Sequence, residues 1–204
     1  MEKTKLILLT LTAICTSALQ AAEAPKVGAP APGFSLPDSQ GKTHSLGDFK
    51  GKYVVLEWFN PGCPFVQKHY RTDNMQQLQK EFTGKEVVWL TIDSSAEGKE
   101  GYLTPEEANK QVADWKMKPT ALLLDPAGKV GREYAATNTP HMYVIDPHGN
   151  LIYSGAIDDK PTANPKDVAG ATNYVKAALT EAMAGKPVTT SNSRAYGCSI
   201  KYAP

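Results

Sequence analysis

Short apolar runs and longer amphipathic stretches take turns along this chain. Tyr53 to Phe59 is a run of mostly β-branched and aromatic residues, the pattern of a buried strand. It breaks at the turn-forming Asn60-Pro61-Gly62. Cys63-Pro64 follows, and the spacing beyond fits one helix through Phe82, stopped at Gly84-Lys85. Val87 to Ile92 reads as a second core strand. Thr104-Pro105-Glu106-Glu107 is a capping box and starts a helix through Trp115. Ala121 to Leu124 is a third short strand, and Val130 to Ala135 a brief helix. Met142-Tyr143-Val144-Ile145 and Leu151-Ile152-Tyr153-Ser154 flank Asp146-Pro147-His148-Gly149-Asn150, a hairpin turn. Asn164-Pro165-Lys166-Asp167 caps a last helix that runs to Met183 and stops at Gly185. Ahead of all these, Phe34 to Pro37 and Thr43 to Leu46 read as a small hairpin around Asp38-Ser39-Gln40-Gly41. The order predicts an α/β fold: a mixed sheet covered on both faces, with parallel neighbours first and an antiparallel pair last.

The chain has 204 residues and a formal charge of +1, with both signs mixed along it, which fits one domain and offers no nucleic-acid surface. Its start changes the picture more. Lys3 and Lys5 precede the apolar run Leu6 to Leu19, and small residues follow at Ala21, Ala22 and Ala24, the layout of an export signal. The alternative, an uncleaved anchor, is weakened by Thr10, Thr12, Thr16 and Ser17 within a short run. The expectation is a signal peptide over residues 1–22, a domain over 23–187, a tail over 188–204, and an exported protein of the periplasm or its equivalent.

Cys15 would leave with the signal, so two cysteines remain, Cys63 and Cys198, in an oxidising compartment. They are either a structural disulfide that staples the tail or a redox pair. The setting of Cys63 favours the second. Proline suits a first helical position, so Cys63 sits at a helix start, where unpaired N–H groups and the dipole favour a thiolate over a thiol.

This order of elements, with Cys63 at the strand-to-helix junction, resembles the thioredoxin-like superfamily. Within it, Pro25 to Met183 and the tail segment Tyr196 to Tyr202 are similar to peroxiredoxin-like redoxin domains, related to alkyl hydroperoxide reductase and thiol-specific antioxidant proteins. The resemblance implies a thioredoxin-like fold with Cys63 as the attacking sulfur. It makes Thr139-Pro140 a cis-proline site that faces the sulfur and lets a substrate chain pair along the backbone. It also makes Glu57 a buried acid that accepts a proton. Three departures qualify this. Val66 stands where a dithiol thioredoxin has its second cysteine. Asn60 stands where a peroxidatic site has Thr or Ser to orient the peroxide, though it can still donate a hydrogen bond. Pro140 stands where such a site has Arg, which leaves Arg71 or Arg132 as substitutes.

The expected activity is that of a thiol-dependent oxidoreductase with Cys63 as nucleophile and Cys198 as resolving cysteine. Its substrate would be a protein thiol or disulfide, or a small hydroperoxide, with an external thiol reductant and no cofactor. One alternative is a true hydroperoxide reductase. The other is a non-catalytic scaffold, with His69, His141 and Cys198 as candidate copper or zinc ligands. For the two sulfurs to join, their Cα atoms must come within about 7 Å.

Overall fold

The computed structural model describes residues 24–204; the signal peptide expected over residues 1–22, with Cys15, lies outside the described residues. Five strands form the central sheet: β3 (Val54–Trp58), β4 (Val88–Asp93), β5 (Ala121–Leu124), β7 (His141–Ile145) and β8 (Leu151–Gly155), in the order β5-β4-β3-β7-β8. Strands β3, β4 and β5 are parallel, and β7 and β8 add antiparallel neighbours. The mixed sheet and its division into a parallel and an antiparallel half are those the apolar pattern predicts. A separate hairpin of β1 (Ser35–Pro37) and β2 (Thr43–Ser45) precedes it.

Side-chain alternation along β3 builds the two cores. Val55 and Phe59 point into one with Cys63, Val66, Tyr70, Phe82, Trp89 and Leu179. Val54, Leu56 and Trp58 point into the other with Phe34, Leu36, Val130, Tyr134 and Tyr143. All five residues of β3 are buried, so the strand that leads to Cys63 is covered on both faces.

Two predicted helices differ from their forecasts. The helix after Cys63 does not run to Phe82 in one piece. It divides into α1 (Pro64–Arg71) and α2 (Asn74–Thr83). Thr72 Oγ1 bonds back to the Lys68 carbonyl at 2.9 Å, and Asp73 turns left-handed at φ 58°, so the chain changes direction there. The last helix does not start at Asn164. Pro165–Gly170 is a 3-10 turn, and α5 (Tyr174–Met183) begins only at its own cap, where Asn173 Oδ1 accepts from Lys176 N at 2.8 Å. The capping box at Thr104 forms and starts α3 (Pro105–Asp114), and α4 (Lys129–Glu133) is the brief helix expected there.

The tail lies along the domain. Strand β9 (Cys198–Ser199) pairs antiparallel with β6 (Asn138–Thr139), with Cys198 opposite Thr139. Nearer the end, Ala96 N donates to Lys201 O at 2.8 Å and Tyr202 OH to Ala136 O at 2.8 Å. Among the described residues no helix is long and apolar enough to cross a membrane.

Candidate active site

Cys63 is the N-cap of α1, and Pro64 occupies the first helical position. The turn before it is tightly closed. Cys63 N donates to the Asn60 carbonyl at 3.1 Å, and Asn60 Oδ1 accepts from Gly62 N at 2.7 Å. The 94–103 loop packs on this turn. Gly101 (φ +91°) approaches so closely that a Cβ there would lie 2.4 Å from the Asn60 amide. Asn60 is therefore buried as the linchpin of the turn, with its Nδ2 directed at the Glu100 carbonyl, 3.5 Å away.

The Cys63 side chain is fully buried. Its thiol donates to the Thr139 carbonyl at 3.0 Å, and the Thr139-Pro140 bond is cis, as the resemblance implies. Cys198 pairs with the same Thr139, so its side chain lies within hydrogen-bonding reach of Cys63. The two sulfurs are unbonded thiols in this structure. Burial, then the adjacent Cys63, pushes the Cys198 thiol up to about 12, so it keeps its proton at neutral pH. One partner is missing from this tight arrangement: the Thr139 hydroxyl is buried without a hydrogen bond.

Glu57, on β3 six residues before Cys63, is fully buried. Its carboxylate accepts from Tyr70 OH (2.8 Å), Trp89 Nε1 (2.8 Å), Thr91 Oγ1 (3.0 Å) and Gln79 Nε2 (3.2 Å). Burial raises its affinity for a proton, and these donors pull the other way. Its hydrogen bonds reach α1, α2 and β4.

Other sequence candidates lie elsewhere. Arg132 bonds the Ala127 carbonyl at 2.8 Å and covers the Tyr202 ring, so it pins the end of the tail. Arg71 closes α1 at an exposed position. His69 and His141 are not brought together with Cys198 into a ligand set. His69 Nδ1 accepts from Asn74 Nδ2 at 2.9 Å, while His141 stacks on Tyr143. Among the described residues no group of three His, Cys, Asp or Glu side chains is arranged to hold a metal.

One cluster the sequence did not reveal lies two residues before Cys198. Lys68 and His69 on α1 meet Asp158, just past β8, around the hydroxyl of Tyr196. Asp158-Asp159-Lys160 matches no motif in the sequence, and only the fold buries its first member.

Residues 27–154 match the AhpC/TSA family. Peroxiredoxin Bcp of Escherichia coli (strain K12) is 39% identical over 159 residues, which cover 70% of this chain and 92% of that protein. The thiol-disulfide oxidoreductase ResA of Bacillus subtilis (strain 168) is 29% identical over 139 residues, 63% of this chain and 76% of its own. The crystal structure of the thioredoxin domain of a thiol-disulfide oxidoreductase from Bacteroides vulgatus superposes with a TM-score of 0.51 at 24% identity. It covers 64% of this chain and 89% of that one, a likeness of fold.

Proposed function

The chain belongs to the AhpC/TSA family, and we propose that it is an exported thiol-dependent oxidoreductase in which Cys63 attacks and Cys198 resolves. One observation carries this reading: two unbonded thiols from distant parts of the chain meet at the cis-proline edge, one on a helix start and one on a paired tail strand. A purely structural role for the pair would need no such helix start. The raised proton affinity of Cys198 supports the division of labour, because a thiol that stays protonated is the poorer attacker at neutral pH.

The chemistry then runs in two exchanges. The Cys63 thiolate attacks one sulfur of a substrate disulfide; that S–S bond breaks, a mixed disulfide forms on Cys63, and the other substrate sulfur leaves as thiolate and takes up a proton. The Cys198 thiol displaces the remaining substrate sulfur, which leaves as a thiol, and the Cys63–Cys198 disulfide forms. Two electrons have passed to the substrate, and an external dithiol or pair of thiols restores the protein. Thr139 and Pro140 offer the backbone edge along which a protein substrate would lie once the tail lifts. Asn60 holds the turn that presents Cys63. Glu57 is the candidate proton acceptor through its raised proton affinity. The reaction calls for no cofactor. Export, and with it a periplasmic site, rests on the pattern of Lys3, Lys5 and Leu6 to Leu19.

The similarity to peroxiredoxin Bcp favours a second reading, in which a hydroperoxide oxidises Cys63 to a sulfenic acid and leaves as an alcohol. Condensation with the Cys198 thiol then releases water and forms the same disulfide. The deciding experiment gives the protein, in separate assays, insulin disulfides with a thiol reductant and a hydroperoxide with the same reductant. Insulin reduction lost on Cys63→Ser supports disulfide exchange. Hydroperoxide consumption lost on Cys63→Ser, with no insulin reduction, moves the assignment to the peroxidase. Activity in both assays that survives Cys63→Ser overturns the reading.

A further inference from the structure

Cys198 rides on a segment with little regular structure, yet it reaches a fixed place beside Cys63. Part of the reason is Gly197 (φ +122°), whose Cβ position lies 2.0 Å from the Thr139 carbonyl oxygen. The backbone thus comes flush against β6, where Asn138 Nδ2 also holds the Gly197 carbonyl at 2.9 Å. The other part lies one residue earlier. The Tyr196 ring packs against Phe65 on α1, with centroids 5.8 Å apart, and its hydroxyl enters a buried polar cluster. There it donates to Asp158 Oδ1, while Lys68 Nζ donates to the Tyr196 hydroxyl oxygen at 3.3 Å and lies 5.3 Å from the Tyr196 ring centroid. Lys68 Nζ also bonds the Lys160 carbonyl at 2.9 Å and faces Asp158 Oδ2 at 3.6 Å. His69 is the last member. Because its Nδ1 accepts from Asn74, its proton sits on Nε2, which faces the Tyr196 oxygen at 3.4 Å.

Lys68, His69 and Asp158 are all at least 98% buried. A buried ion pair of this kind costs more than it returns unless further hydrogen bonds complete it. The missing partner here is supplied by the tail. Two members come from α1 itself, five and six residues after Cys63, so the helix that carries one sulfur also holds the segment that carries the other.

We propose that Lys68, His69 and Asp158 form a clamp for the phenol of Tyr196, and that these four residues are positioning residues that keep Cys198 docked opposite Cys63. The clamp deepens the oxidoreductase reading and rests on it, because docking matters to turnover only if Cys198 is the second sulfur. Tyr196→Phe removes one oxygen and leaves the ring, so the fold is kept while Asp158 and Lys68 lose their shared partner.

Native-state amide exchange of the full chain with both thiols reduced tests this. The tail amide of Ile200, bonded to the Thr137 carbonyl at 3.1 Å, and the loop amide of Ala96, bonded to the tail carbonyl of Lys201 at 2.8 Å, report docking directly. Tyr196→Phe is expected to speed their exchange at least tenfold while amides of β4 and β7 keep their rates. A hydroxyl that served global stability alone would speed sheet and tail together, and that result overturns the clamp. So does unchanged exchange at Ile200 and Ala96 in both Tyr196→Phe and Tyr196→Ala. The measurement involves no turnover. Tail amides that loosen as expected in a protein inactive toward disulfide and hydroperoxide alike would leave the clamp standing and remove the oxidoreductase assignment.

Discussion

Replacing Gly197 with alanine should uncover Cys63. In the native chain Cys63 has no exposed surface, and the tail strand is one of the elements that bury it. A Cβ at position 197 would sit 2.0 Å from the Thr139 oxygen, whereas ordinary contact begins near 3.4 Å, so the strands must separate by about 1.4 Å, the difference between the two. A shift of that size breaks the bonds that fasten this stretch. They include Asn138 Nδ2 to Gly197 O at 2.9 Å and Ile200 N to Thr137 O at 3.1 Å, besides the β6–β9 pairing. At about 0.5–1.5 kcal/mol per bond the loss is about 1–3 kcal/mol. The positive φ adds about 1 kcal/mol for a residue with a side chain. Docking is thus weakened by about 2–4 kcal/mol, which raises the open population roughly 30- to 700-fold at about 1.4 kcal/mol per decade. Iodoacetamide alkylation of the Cys63 peptide, followed by mass spectrometry in a Cys198→Ser background, reads this population. Gly149→Ala is the control: its φ is +89°, but a Cβ there meets nothing within 4 Å. Cys63 labelling within threefold of the parent, or an equal rise in the Gly149 variant, would refute the account of what seals the sulfur.

Two further outcomes concern the parts around the site. Glu57→Leu strips the acceptor from Tyr70, Trp89 and Thr91 at once, while Gln79 keeps the Tyr70 oxygen at 3.0 Å. A loss of about 3–5 kcal/mol is expected in urea unfolding, as for other broken buried charge networks, and a loss under 1 kcal/mol would contradict the network. Asp93, held by Ser95 N and Leu103 N at the mouth of the 94–103 loop, has its carboxyl pushed up to about 7 by burial. Its folded pKa is raised, so its contribution to stability is full below about pH 4 and is lost as pH rises toward about 7, at about 1.4 kcal/mol per unit. Urea unfolding from pH 4 to 7 should therefore show a falling trend in the parent, relative to Asp93→Asn. Parallel curves for the two proteins would remove this assignment.

The parts of the fold legible in the sequence are those set by neighbours along the chain. The strand, turn, cysteine and proline from Tyr53 to Pro64 carry their own instructions, as do the capping box at Thr104 and the turn over 146–150. The split between α1 and α2 was hidden because Thr72 and Asp73 are tolerated in a helix, and only the back-bond of Thr72 with the left-handed turn of Asp73 reveals a corner. The start of α5 was misplaced because Asn164-Pro165 and Asn173 are both sound caps, and local chemistry does not rank them. In the site, Cys63 was readable as a strand-to-helix junction, whereas the cis-proline edge was readable only through the family resemblance, since an X-Pro dipeptide alone favours trans. The meeting of Cys198 with Thr139 was not, because a two-residue strand pairing has almost no periodic signal. The burial of Lys68 and Asp158 was hidden too, since each is a charged residue whose partner lies far away in sequence.

The two sulfurs sit at positions 63 and 198, so their union would enclose most of the molecule in one covalent ring. A loop of well over 100 residues takes on the order of 5 kcal/mol of chain entropy from the unfolded ensemble, on the polymer account of cross-links. Each reduction would hand that stability back. The oxidised chain would resist digestion while the reduced one is exposed to it, so the supply of reductant would set how long a molecule survives as well as how often it turns over.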